Sequence, residues 1–94
     1  MSGRCVLVNS TTDSLTFTWR PAASATYYRL VGDGVDTNSS TNTITVYGLT
    51  PGSHYTFLVW AVDSQGVVSN SNIICDNSTG TLRFVLAYSL LLYF

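Results

Sequence analysis

Lysine and glutamate are absent from this chain, and its charged residues are four arginines and five aspartates, 10% of the total. An average soluble domain carries roughly 25%. With a net charge of −1 and Arg4, Arg20, Arg29 and Arg83 scattered, there is no basic stripe. That excludes the electrostatic footprint of a nucleic-acid binder. The aspartates are dispersed too, so no acid-lined substrate pocket is indicated. Histidine occurs once, as His54, and cysteine twice, as Cys5 and Cys75. One histidine and two distant cysteines do not make a tetrahedral zinc site without carboxylate help. A nucleophile–histidine–acid unit would need His54 beside a serine or cysteine and an orienting aspartate, and the sequence offers these by abundance alone. No glycine-rich phosphate loop links a strand to a helix. The expectation is a protein with no catalytic residue, no metal and no cofactor.

In place of charge the chain has 12 Ser, 13 Thr and 6 Asn. Thr favours strands, whereas Ser and Asn favour turns, so the bias points to an all-β fold. Ninety-four residues are enough for one domain and not two. A domain of this size buries only about 60–65% of its unfolded surface and needs an efficient core. A hydrophobic share of 46%, including two Trp, six Tyr and four Phe, can supply it.

Ser14 to Trp19 alternates strictly, placing Leu15, Phe17 and Trp19 on one face of a half-buried strand. Arg20 to Ser24, with Pro21, breaks it. Tyr27 to Val31 is a second strand, ended by the turn signal Gly32-Asp33-Gly34. Asp36 to Asn42 is polar and reads as a loop or a short edge strand. Thr43 to Tyr47 alternates again, with Ile44 and Val46 apolar. After a corner at Gly48 to Gly52, Tyr55 to Val62 forms a long strand and Asp63 to Gly66 turns the chain. Val67 to Cys75 is a patchier last strand, and Cys5 to Val8 is the first. About seven short strands with turn signals every ~8–12 residues fit a sandwich or barrel. Up to Gly80 no segment sustains a helical period.

Three pieces in this order resemble the fibronectin type III family: Leu15-x-Phe17-x-Trp19, Tyr28-x-Leu30, and Gly48-Leu49-Thr50-Pro51-Gly52-x-x-Tyr55-x-Phe57-x-Val59-x-Ala61-Val62. The resemblance covers roughly residues 4–76. It implies an immunoglobulin-like β-sandwich of about seven antiparallel strands, with residues 77–94 as an apolar C-terminal tail outside it, helical or disordered. In that arrangement Trp19 fills the space between the sheets, Leu49 plugs one end of the core, and Tyr55 forms a tyrosine corner. Leu15, Phe17, Tyr28, Leu30, Ile44, Val46, Phe57, Val59 and Ala61 complete the expected core. The wording of Gly48 to Val62 and Gly66 to Ser71 is similar to the tandem repeats in receptor-type tyrosine phosphatase ectodomains. No Arg-Gly-Asp motif is present, since Val31 precedes Gly32-Asp33.

The same resemblance makes the strands 27–31 and 55–62 neighbours. With Tyr28 and Leu30 inward, Tyr27, Arg29, Val31, Leu58, Trp60 and Val62 point outward as one apolar-aromatic patch. Arg29 is positioned to lie over Trp60 as a cation–π pair. Two readings of the patch stand: cross-strand pairs that stabilise the sheet surface, or an interface. Loops Arg20–Thr26 and Asp63–Val68 fall at the same end of the sandwich and offer a second binding edge. The first and last strands run close together, which allows a Cys5–Cys75 disulfide; the alternative is two buried thiols.

Three N-glycosylation sequons begin at Asn9, Asn38 and Asn77. Together with the lack of lysine they point to an extracellular or cell-surface setting, and the residues before Val8 carry no signal-peptide run. The expected role is a non-catalytic interaction or spacer module of a larger cell-surface receptor or adhesion protein, whose partners are proteins or neighbouring type III repeats. An intracellular structural repeat with no glycans or disulfide is the alternative. The apolar stretch after Arg83 is shorter than the ~17–25 residues needed to span a bilayer. Membrane association is therefore expected only through the parent protein or an incomplete apolar segment.

Overall fold

A computed structural model describes residues 3–81 as seven strands in two sheets, with no helix among the described residues. The strands are β1 (Val6–Ser10), β2 (Leu15–Thr18), β3 (Tyr27–Gly32), β4 (Val35–Ser39), β5 (Thr43–Val46), β6 (His54–Val62) and β7 (Ile73–Ser78). One sheet has the order β1-β2-β5 and the other β4-β3-β6-β7. Every pairing between these strands is antiparallel. The fold is the all-β sandwich that the alternating segments and the resemblance lead one to expect.

Alternation puts the core between the two sheets. On β2, Leu15 and Phe17 are buried while Thr16 and Thr18 are half-buried on the outer side. Thr16 pairs with Thr45 of β5, hydroxyl to hydroxyl at 2.9 Å, a cross-strand contact suited to β-branched residues. Phe17 meets Phe57 edge-on across the sandwich at 6.1 Å, and Trp19 meets Tyr28 edge-on at 5.2 Å. Tyr28, Leu30, Ile44, Val46, Leu49, Val59 and Ala61 complete the buried cluster, joined by Ile73 and Cys75 of β7. Tyr55 is half-buried against this cluster, stacked on Phe57 at 5.9 Å, and its hydroxyl accepts the Thr50 N–H at 2.7 Å. That hydrogen bond ties the corner after β5 to the start of β6.

Turn chemistry sets the β3–β4 hairpin. Gly32 pairs with Val35, and the two residues between them, Asp33 and Gly34, have φ of 47° and 80°. Two successive positive φ values make the tight turn whose twist matches the flanking strands. Asp33 adds a second function: its carboxylate accepts the Thr56 N–H at 2.8 Å, where β3 turns away from β6. A Cβ on Gly32 would collide with the Thr56 carbonyl, so the close approach of the two strands requires glycine there.

The structure departs from the sequence reading at the strand ends. Of the two readings for 36–42, the edge strand is the one that forms, over residues 35–39, because β4 needs pairing on one side only. The last strand starts at Ile73 instead of Val67. Its expected first half is irregular because polar side chains supply the bonds: Asp63 Oδ1 accepts the Gln65 and Val67 N–H groups, and Ser69 Oγ accepts the Ala61 N–H. The domain limit expected at residue 76 falls inside β7. Beyond it, buried Thr79 donates to the Thr50 carbonyl at 2.6 Å, and the Gly80 N–H reaches the Thr11 carbonyl at 2.8 Å. The apolar stretch 82–94, with Arg83, lies outside the described residues.

Cys5 and Cys75 form a disulfide across the seam between β1 and β7, with Cα atoms 4.9 Å apart. Beside it the Cys5 N–H donates to the Ile74 carbonyl at 2.9 Å, and Arg4 meets Asp76 in an exposed ion pair at 2.6 Å.

Two stability measurements check this account. Trp19→Ala removes the largest side chain of the core and is expected to lower unfolding stability by about 3–5 kcal/mol in urea titration. Replacing Cys5 and Cys75 together by Ala frees a loop with a sequence separation of 70 residues, with an expected loss of about 4 kcal/mol in the same assay.

Candidate interaction face

The register of β3 on β6 determines what the outer face of the four-stranded sheet presents. Tyr28 lies opposite Ala61 and Leu30 opposite Val59, and all four are buried. The intervening pairs Tyr27–Val62, Arg29–Trp60 and Val31–Leu58 therefore belong to the other face. The structure thus brings the six expected patch residues onto adjacent strands.

Five of the six are at least partly exposed, and Val62 is the exception at 2% exposure. Alternation fails at the end of β6, where Ala61 and Val62 are both buried. There the Val62 carbonyl accepts the Thr26 N–H at 2.7 Å, and residue 62 is bridged to Val68 of the following loop. The loop covers this end of the strand, so Val62 is buried beneath it on the outer face, apart from the core cluster.

Four of the remaining five, Arg29, Val31, Leu58 and Trp60, line a groove of about 640 Å³. Trp60, Leu58, Val31 and Val68 supply apolar walls, and Arg29, Thr56 and Gly32 complete it. Tyr27 is half-buried beside the groove and does not line it. Sequence reasoning missed Thr56 and Gly32, and placed Val68 in the second binding edge and not in this patch. Val68 precedes the last strand, which begins at Ile73, and Gly32 has no side chain to signal that it lines a groove.

The electrostatics of the face also differ from expectation. Arg29 is directly across from Trp60, but its guanidinium is committed to β4, on the other side of β3. Its Nε and Nη2 donate to the two carboxylate oxygens of Asp36 at 2.9 and 2.6 Å. This two-pronged geometry outcompetes the weaker attraction of an indole face, and the expected cation–π pair does not form. The hydrogen bonds and the positive charge of Arg29 hold the Asp36 carboxyl below its usual value, and Asp36 in turn raises that of Arg29.

The loops 20–26 and 63–68, expected at one end of the sandwich, meet there, with Ser69 and Asn70 extending the second. Between them lies a second concavity of about 480 Å³, lined by Ala22 to Ala25 and by Asp63, Val67 and Asn70 among others. His54 lines neither concavity. It is the exposed first residue of β6, and its Nδ1 lies 3.0 Å from Oγ of Ser78, its neighbour across the strands. No three metal-ligating side chains converge among the described residues, and no helix there is long and apolar enough to cross a membrane. The sequons lie on strands at sheet edges: Asn9 on β1 and Asn38 on β4, both exposed, and Asn77, half-buried, on β7.

One titration checks the Arg29–Asp36 pairing. A carboxyl whose folded value is lowered contributes stability above its unfolded value, and that contribution disappears as the pH falls through the folded value. NMR titration of Asp36 should therefore give a midpoint below the ordinary ~3.9 of aspartate. Arg29→Ala should move it upward.

The family model described as fibronectin type III domain matches residues 4–75. Among solved structures, chitinase ChiA74 from Bacillus thuringiensis is similar at 25% identity with a TM-score of 0.75, over 82% of this chain but only 13% of the chitinase. The type III domain of human fibronectin type III domain containing protein 3 is similar at 22% identity and a TM-score of 0.68, covering 84% of each chain. A family 28 exopolygalacturonase of Yersinia enterocolitica is similar at 14% identity and a TM-score of 0.73, over 84% of this chain and 20% of that one. No curated protein matches in sequence.

Proposed function

The chain belongs to the fibronectin type III family, and from that premise we propose that it serves as a non-catalytic interaction and spacer module of a larger extracellular or cell-surface protein. The observation that carries the proposal is the groove around Trp60. It is an apolar concavity on the two central strands of the four-stranded sheet, and Arg29, the one cation lining it among the described residues, is already held by Asp36. Such a surface suits a protein partner or a neighbouring repeat, which would bury the indole and leave the Arg29–Asp36 pair at the rim. The Cys5–Cys75 disulfide supports the extracellular setting, because such bonds persist in oxidising compartments. Three sequons on edge strands agree with it.

The likeness to the chitinase supports a second version of the same role. There the module would hold a catalytic domain at a distance within a secreted enzyme, and the chemistry would lie elsewhere in the protein. Both versions require this domain to work through its surface.

Trp60→Ala tests the role directly. Truncating a central aromatic anchor is expected to weaken binding of the partner or adjoining repeat by about 2 kcal/mol or more, measured by calorimetry. The unfolding midpoint should stay close to that of the parent. If the domain instead unfolds while its affinity per folded molecule is unchanged, Trp60 serves the sheet and not an interface.

A further inference from the structure

Asn38, Arg29 and Trp60 form one row across three strands: Asn38 of β4 pairs with Arg29 of β3, which pairs with Trp60 of β6. Residues directly opposite one another in a sheet point to the same face. Asn38 is exposed and is the first residue of the sequon Asn38-Ser39-Ser40. Two strand spacings of ~4.8 Å separate it from Trp60, so the gap is about 10 Å. Two sugar rings end to end span a similar length. Between the two residues lies Arg29, whose guanidinium reaches Asp36, two residues from Asn38 on β4, and both are polar groups suited to sugar hydroxyls. Beyond them is the indole, a flat apolar surface of the kind on which a sugar ring packs.

The other sequons lack this relation to the groove. Asn9 pairs with Thr16, whose hydroxyl bonds Thr45 on the outside of the three-stranded sheet, the opposite side of the sandwich. Asn77 follows the parity of buried Ile73 and Cys75 on β7, and its side-chain oxygen accepts the Ser78 N–H.

We propose that Asn38 carries an N-linked glycan whose two inner sugars lie across Arg29 and Trp60 and close the groove to protein partners. In the attachment step the Asn38 amide nitrogen bonds to the anomeric carbon of a lipid-pyrophosphate-linked oligosaccharide. The carbon–oxygen bond to pyrophosphate breaks, the amide gives up one proton, and nothing is oxidised or reduced. The glycan would then set how much of the Trp60 face is available. This inference rests on the extracellular reading above and specifies how the same face is regulated.

The test uses the full chain secreted from mammalian cells behind a leader peptide, with chymotryptic mass mapping of the natural protein beside it. Cleavage at Tyr47 separates the Asn38 peptide from that of Asn77. Trp19 is buried, so acrylamide quenching of tryptophan fluorescence reports chiefly on Trp60. The expected result is sugar on Asn38 and weak quenching in the parent. Quenching should rise in Asn38→Gln and after amidase release of the glycan from the folded protein, and stay at the parent level in Asn9→Gln and Asn77→Gln. A bare Asn38, or an occupied Asn38 with quenching unchanged on release, overturns the inference. Sugar on Asn9 or Asn77 with Asn38 bare defeats this inference while leaving the extracellular reading intact. A natural protein with reduced cysteines and no sugar defeats both.

Discussion

The antiparallel register of β3 on β6 is the constraint on which the other features depend. It sets Tyr28 against Ala61 and Leu30 against Val59 inside, and Arg29 against Trp60 outside. A slip of one residue would exchange the two faces, burying a guanidinium and exposing the core. Each end of the pair is pinned by a different device. At one end, Gly32 allows close approach, and the Asp33 carboxylate holds the Thr56 N–H where the ladder stops. At the other, the Thr26 N–H bonds the Val62 carbonyl and the 63–69 loop folds back onto Ala61. The Tyr55 hydroxyl fixes where β6 begins by holding the Thr50 N–H.

The seam between β1 and β7 is the second requirement, because a domain this small buries too little surface to leave an open side. It is fastened at both ends. The disulfide and the bonds between Gly3, Cys5 and Ile74 close one end, and Thr79 and Gly80 close the other by bonding to Thr50, Ser53 and Thr11. Most of these closures are polar or covalent. A hydrophobic pattern alone does not reveal them, which is why the domain extends past the point where apolar alternation fades.

What could be read from the sequence follows from that distinction. The core was legible because burial imposes a period of two, and Leu15, Phe17, Leu30, Phe57 and Val59 obey it. The tyrosine corner was legible because glycine, proline and an aromatic at fixed spacing have few other uses. The outer patch was legible as a consequence of the core, by parity. Val62 was not, because parity ends where a loop covers the strand, and that depends on the path of residues 63–69. Nor was the partner of Arg29. The sequence reading set Arg29 over Trp60, whereas the diagonal placement of Asp36 on β4 gives the guanidinium two aligned acceptors. The groove needed Val68 and Gly32 as well, one from an irregular loop and one without a side chain.

The shortage of charge noted at the outset explains why the Trp60 face stays open. Unpaired strand edges are where a sheet protein most needs charge, since they template pairing with other chains. Of the nine charged residues, Asp36 lies on edge strand β4, Asp76 on edge strand β7, and Arg4 just ahead of edge strand β1. Both ion pairs among the described residues involve these positions. Asp13, Arg20, Asp33 and Asp63 lie between strands, so few charges remain for the centre of the sheet. Arg29, the one cation on β3, is drawn outward to Asp36, and β6 offers only His54 at its far end. A lysine- and glutamate-rich relative of the same fold would cover its central strands with long charged side chains, whose stems shield apolar surface. Here Leu58 and Trp60 have no such cover. The groove is therefore a consequence of composition as well as of fold.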